Sequence, residues 1–199
     1  MTREKHPCLI LCAGTSKRFG GNKMLATLAG KPLLGHVIER AGPQASSLAI
    51  NGSPQTYGDF GLPVFPDAVP GKLGPLAGIL TAMEWAVRQG RSRVLTVSGD
   101  TPFVPYDWAQ QLGATPGNVI ALPQVGGNTH QVCGLWPSAL ALDLRKFLLA
   151  GESYKVRDFL ASHEIEMVEF SKADGVDPFF NVNTPKDMER AKAILRGKT

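Results

Sequence analysis

Apolar residues in this chain fall into short blocks that stop at glycine, asparagine or aspartate, and these blocks alternate with longer stretches of helical spacing. The first block, Cys8-Leu9-Ile10-Leu11-Cys12, shows no polar alternation and ends at Ala13-Gly14, which predicts a strand covered on both faces, as in a parallel sheet. From Pro32 to Arg40, the spacing of Leu33, Leu34, Val37 and Ile38 predicts a helix with Pro32 at its first position. A second strand, Ser47–Ile50, stops at Asn51-Gly52, and a third, around Leu62–Phe65, stops at Pro66-Asp67. A helix from about Pro75 to Gln89 precedes a fourth strand, Arg93–Ser98, which stops at Gly99-Asp100. Downstream the order is less regular: strands near Val119–Leu122 and Gln131–Trp136, helices near Ser138–Leu149 and Lys155–Ser162, a strand at Ile165–Phe170, an extended Phe179–Val182 and a closing helix from about Pro185 to Arg196.

Strands alternating with helices indicate one α/β domain with a largely parallel sheet, the later strands adding mixed pairing. In such a sheet ligands bind beyond the carboxyl ends of the strands. The unusual polar residues sit at those ends: Gly14–Lys23 after the first strand, Asn51 after the second, Asp67 after the third and Asp100 after the fourth. Four distant segments are thus expected to project polar groups onto one edge.

Composition narrows the classes. The chain has 199 residues, of which 43% are hydrophobic and 19% charged, enough for an ordinary core and against disorder. A net charge of +4 suits an anionic ligand but equally a soluble protein with spare lysines, and no basic stripe interleaved with aromatics suggests nucleic acid. Three cysteines, Cys8, Cys12 and Cys133, form no CxxC, so neither a disulfide framework nor a zinc site is expected. The start Met1–Pro7 has no apolar segment of the signal-peptide kind and no run is long enough to span a bilayer, so a cytoplasmic protein without a membrane partner is expected.

In Ala13–Lys23, small residues would let backbone N–H groups approach a polyphosphate, Arg18 would grip phosphate oxygens in a fork and Lys23 would act as a point charge. The stretch is neither a P-loop nor GxGxxG, which sets aside a Rossmann-type oxidoreductase; as a bare pattern it also describes a plain turn. Asp100 at a strand end suits Mg²⁺, which takes one or two carboxylates and fills its shell with phosphates and water; an Asp capping a turn before Pro102 reads the same. Gly74–Gly78 opens a helix whose free N–H groups suit an anion or a base, or simply a helix start with proline at its first position. Asn181 and Asn183 offer carbonyl oxygens near a helix start that Asn183 or Thr184 would cap. His130 reads as a base or, more simply, as a structural donor, and Trp136 and Tyr154 read as packing residues.

Taken in order, Ala13-Gly14, Arg18-Phe19-Gly20-Gly21, Lys23, Gly74-Pro75-Leu76-Ala77-Gly78, Gly99-Asp100-Thr101-Pro102-Phe103 and Asn181-Val182-Asn183-Thr184-Pro185 resemble the molybdopterin-dependent nucleotidyltransferases over Leu9 to about Lys192. Asn183 points to the guanylyltransferase branch, since the related cytidylyltransferases more often carry Asp there. The resemblance implies a nucleotidyltransferase (Rossmann-like) fold, GTP and molybdopterin as substrates, Mg²⁺ as cofactor, and delivery or recipient molybdoenzymes as partners. It further implies nucleotide contacts from Cys12, Ala13, Gly14, Lys23, Asn51, Asp67 and Asp100, catalytic roles for Arg18, Lys23 and Asp100, a metal at Asp100, and Asn181 and Asn183 near the metal and the second substrate. Residues 1–105 would form the nucleotide-binding half and 106–199 the pterin-acceptor half. One departure stands out: the family's loop usually has a second glycine after Gly14 and one more residue before the arginine, whereas Thr15 stands here in a shorter loop. Two rival readings stay open, a CTP-dependent or sugar-phosphate nucleotidyltransferase and a nucleotide-binding protein without turnover.

Overall fold

The computed structural model describes residues 4–14 and 19–197. Its elements run β1 (Cys8–Leu11), β2 (Thr27–Leu28), β3 (Lys31–Pro32), α1 (Leu33–Ala41), β4 (Leu48–Asn51), α2 (Pro54–Tyr57), β5 (Val64–Phe65), α3 (Pro75–Arg88), β6 (Arg93–Ser98), α4 (Trp108–Leu112), β7 (Ile120–Val125), β8 (Asn128–Thr129), β9 (Leu135–Pro137), α5 (Ala141–Ala150), α6 (Val156–Leu160), β10 (Ile165–Glu169) and α7 (Pro185–Leu195). The main sheet has the order β10-β7-β9-β6-β1-β4-β5, with β8 hairpinned onto β7. Strands β5, β4, β1 and β6 are parallel neighbours, β9 runs antiparallel between β6 and β7, and β10 lies parallel to β7. The expected single α/β domain with a mixed, mainly parallel sheet is what forms.

Register explains why the polar residues converge. Leu11 stands opposite both Asn51 and Ser98, and Asn51 stands opposite Phe65. The central strands therefore end level, and the connections leaving their carboxyl ends emerge at one rim.

Both faces are covered, as the unbroken apolar run of β1 requires. Cys8 and Ile10 face a core with Leu34, Val37 and Ala41 of α1 and Trp108 and Leu112 of α4. Leu9 and Leu11 face the opposite core, built from Leu76, Ile79, Leu80 and Met83 of α3, Leu144 and Leu148 of α5 and Phe159 of α6. Truncating a fully buried residue such as Ile79 would cost about 2–5 kcal/mol in lost transfer energy and cavity. A smaller cluster, Leu28, Leu33, Phe103, Val182, Met188 and Ala191, seats α7 beside the β2–β3 hairpin.

Four expectations need correcting. Pro32 is not the first helical residue: it pairs with Thr27 in the hairpin with extended dihedrals, and α1 begins at Leu33. Gln131–Gly134 is a turn closed by Cys133 N–H to the His130 carbonyl, so β9 starts only at Leu135. Phe179–Val182 is not a strand: Phe180 N–H turns back to the Asp177 carbonyl, and Val182 makes a single backbone bond, to the Asp100 carbonyl at 2.9 Å. Tyr154 is 40% exposed, whereas Trp136 is fully buried with its indole N–H on Thr96 Oγ1.

Candidate functional site

Lys23 opens a single 3-10 turn, Lys23–Leu25, whose start is held by Asn22 accepting from the Met24 amide. Met24 packs beneath Gly99: a Cβ there would lie 3.0 Å from its sulfur and 2.6 Å from Cys12 Sγ, so only glycine lets these segments close. The turn aims the Lys23 ammonium at the Asp100 carboxylate, which it bonds through Oδ2, and at Asn183 Oδ1, 2.7 Å away. Ser98 Oγ donates to the other Asp100 oxygen at 2.6 Å. Lys23 is 9% exposed and Asp100 4%, so two opposite charges sit together largely out of water. Breaking such a pair by removing one partner strands the other charge.

A second group lies one strand away. Asn51, 1% exposed, donates through Nδ2 to the Phe65 carbonyl at 3.2 Å and to Asp67 Oδ1 at 3.0 Å. It thereby holds the half-buried Asp67 carboxylate at the rim. Gly78 on α3 makes room for it, since a Cβ at that position would lie 2.6 Å from Asn51 Oδ1.

Cys12 is engaged in the scaffold. Its amide donates to the Asn51 carbonyl and its carbonyl accepts from Tyr57 OH. Its thiol pKa is pushed up, first by burial and then by the Asp100 charge, with Lys23 pulling the other way, so it stays a neutral thiol at neutral pH. Ala13 and Gly14 beyond it are exposed at the rim. Arg18, with Thr15 and Ser16, lies outside the described residues.

The chain's late segment completes the ring. Asn183 reaches Lys23, Asn181 Oδ1 accepts from Thr101 Oγ1 at 3.1 Å, and Val182 is tied to the backbone of Asp100. Thr184 caps α7 in a reciprocal box with Asp187, which fixes where the segment ends. Burial works against the Asp187 charge, but hydrogen bonds from Thr184 and from the Asn183 and Thr184 amides outweigh it and hold its pKa below the usual carboxylate value. At the segment's other end, His130 Nε2 lies 3.0 Å from Asp177 Oδ2 and its ring packs on Phe179, the part of a structural donor.

These segments belong to a known pattern. A family model described as the MobA-like NTP transferase domain matches residues 8–167. The chain belongs to this family. It is 45% identical over 199 residues to a molybdenum cofactor guanylyltransferase of Rhizobium meliloti (strain 1021), covering 95% of this chain and 91% of that one. A molybdenum cofactor guanylyltransferase of Mesorhizobium japonicum is 40% identical, with 96% of each chain covered. Among solved structures, the molybdopterin-guanine dinucleotide biosynthesis protein A of Archaeoglobus fulgidus superposes with a TM-score of 0.75 at 21% identity, covering 96% of this chain and 99% of that one. That likeness shows a shared fold.

For a MobA-like domain the geometry brings Lys23, Asp100 and Asn183 into direct contact, links Asn51 to Asp67, and puts Asn181 beside Thr101. Sequence reasoning missed Ser98, Thr101, Tyr57 and Asn22. Ser98, as the last strand residue two places before Asp100, carried a usable signal; Tyr57, in a four-residue helix, carried none. Among the described residues no three of His, Cys, Asp and Glu cluster as metal ligands. The donors at hand are one carboxylate and two amide oxygens, a set that suits a hard cation whose remaining ligands are phosphates and water. No helix of the described residues is long and apolar enough to cross a membrane.

Proposed function

We propose that this protein transfers GMP from GTP to the terminal phosphate of molybdopterin, forming the guanine dinucleotide cofactor and releasing pyrophosphate. The observation that carries this reading is the meeting of Lys23, Asp100 and Asn183 at the strand ends of a chain 40–45% identical, nearly end to end, to molybdenum cofactor guanylyltransferases. The rim formed by residues 1–105 would take the nucleotide, and 106–199 would supply the acceptor side.

A phosphate oxygen of molybdopterin attacks the α-phosphorus of GTP in line. As the new oxygen–phosphorus bond forms, the bond to the β-phosphate oxygen breaks and pyrophosphate leaves with the electron pair. The nucleophile is already anionic, so no general base is needed, and positioning with charge neutralisation carries the rate. Lys23 offsets charge on the transferring and leaving phosphates, with Arg18 assigned the same task, and the Ala13–Gly14 backbone approaches the triphosphate. Asp100, with the amide oxygens of Asn181 and Asn183 nearby, would hold Mg²⁺. When bound, the ion would supply positive charge against the triphosphate.

Asp67 favours guanine over cytosine. A carboxylate accepts only, and guanine alone of the two presents adjacent N1–H and N2–H donors to match its oxygens. Asn51 would fix that carboxylate for the task. We further place the protein in the cytoplasm, in keeping with three free, buried cysteines, where molybdoenzymes would be its delivery partners.

Pyrophosphate release measured with each of the four nucleoside triphosphates, Mg²⁺ and molybdopterin tests the whole reading. Turnover with GTP is expected. Turnover with CTP instead would move the protein to the cytidylyl class, and GTP binding without turnover would make it a nucleotide-binding protein.

A further inference from the structure

Lys23 stands where a metal would have to come. Both Asp100 oxygens are engaged, Oδ2 by the Lys23 ammonium and Oδ1 by Ser98 Oγ, and Lys23 is held a second time by Asn183. The group is nearly closed to water, with Asp100 4% and Lys23 9% exposed. A divalent ion arriving alone must therefore displace an ammonium from its carboxylate, leaving a desolvated lysine without a counter-charge. Among the described residues no group of three or more His, Cys, Asp or Glu side chains gathers there to draw it in.

A triphosphate changes both sides of that exchange. It offers Lys23 new anionic oxygens within the sweep of its flexible stem, and it brings the phosphate ligands that a hard cation needs beside a single carboxylate. We propose that Lys23 serves two partners in turn, Asp100 in the protein alone and the triphosphate in the loaded one, so that metal enters the site only together with nucleotide. This rests on the reading above that Asp100 holds the metal. It adds that the resting site is closed by the chain's own cation, which keeps stray divalent ions off the carboxylate and makes a metal-charged nucleotide the species that opens it.

The test uses Mn²⁺ as probe on the full chain without nucleotide, with free ion counted by electron paramagnetic resonance. Wild type should show no saturable binding tighter than about 1 mM. Lys23→Met removes the ammonium without adding a hard ligand and should bind Mn²⁺ at least about tenfold more tightly, a gain that Asp100→Asn placed on top of it should abolish. A folded Lys23→Met with no gain, or a gain that survives Asp100→Asn, overturns the proposal. Should Lys23→Met fail to fold, the wild type decides alone: saturable Mn²⁺ binding that Asp100→Asn removes overturns it, and absence of binding to the protein alone, with Mn²⁺ retained on the protein after gel filtration only when GTP is present, supports it. These arms read no turnover, so failure of the guanylyl-transfer reading shows separately in the pyrophosphate assay.

Discussion

The rim proposed to take the nucleotide and the Asp177–Thr184 segment hold their candidate site side chains by different means. At the rim, Asn51 and Ser98 are themselves the last residues of β4 and β6, and Asp100 follows two residues after β6. Level register with β1 places them, so the sheet's own hydrogen bonds do the positioning. The late segment has no strand pairing. It depends on the His130–Asp177 contact, the Phe179 stack, one backbone bond from Val182 to Asp100 and the Thr184 cap. Rim positions are thus over-determined, while the segment rests on a few side-chain tethers. Changes at the rim should alter chemistry with the sheet intact, at a cost in stability where one charge of the buried Lys23–Asp100 pair is removed, and changes at the tethers should mix stability with the proposed acceptor-side function.

The sharpest test is Asp100→Asn, which keeps the volume but removes the charge and one of the two acceptor oxygens. Turnover should fall by about 10²–10³ or more, and the melt should fall too because Lys23 loses its buried counter-charge; pyrophosphate release beside a thermal melt on the folded variant checks both. Near wild-type activity would remove Asp100 from the metal and nucleotide roles. Next comes Gly78→Ala. Its Cβ would meet Asn51 Oδ1 at 2.6 Å and Leu11 Cδ2 at 3.0 Å, so the Asn51 amide must shift and Asp67 with it. The expected result is a KM for GTP raised about tenfold, or about 1.4 kcal/mol, with the KM for acceptor little changed. An unchanged GTP KM would break the link from Gly78 through Asn51 to the base.

On the segment, His130→Ala should lower stability by about 1–2 kcal/mol and raise the acceptor KM with GTP binding unaffected. His130→Gln, which can still place a donor near Asp177, should recover most of both effects; equal damage to GTP and acceptor binding would erase the distinction between the two regions. The smallest effect is expected from Thr184→Ala, about 1 kcal/mol through loss of the α7 cap, read as a shift in the melt.

Much of the rim was legible beforehand. Apolar runs that stop abruptly at Asn51, Asp67 and Asp100 announce parallel strands, and parallel strands put their ends on one edge, so the convergence came from pattern and topology. The bonds between the pieces were not legible. That Lys23 would meet Asp100 across 77 positions and Asn183 across 160 depends on where the β2–β3 hairpin and α7 seat against Phe103 and Val182. The hairpin itself escaped notice because two-residue strands carry no periodicity, and Pro32 looked like a helix start for the same reason. Phe179–Val182 looked extended because its apolar residues resemble a strand, yet Phe179 packs on His130 and Phe170 while Val182 joins the cluster of Leu28, Phe103 and Met188, and neither pairs.

By itself the sequence determined the layered α/β arrangement, the order of the central strand ends and the residue types available for an anion and a hard cation, because hydrophobic periodicity and chain breaks are local properties. Which of those groups touch one another was decided only by tertiary packing. Contacts such as Lys23 on Asp100, Asn51 on Asp67 and Gly78 beneath Asn51 join residues far apart in the chain, and their distances are set by how helices and hairpin close over the sheet.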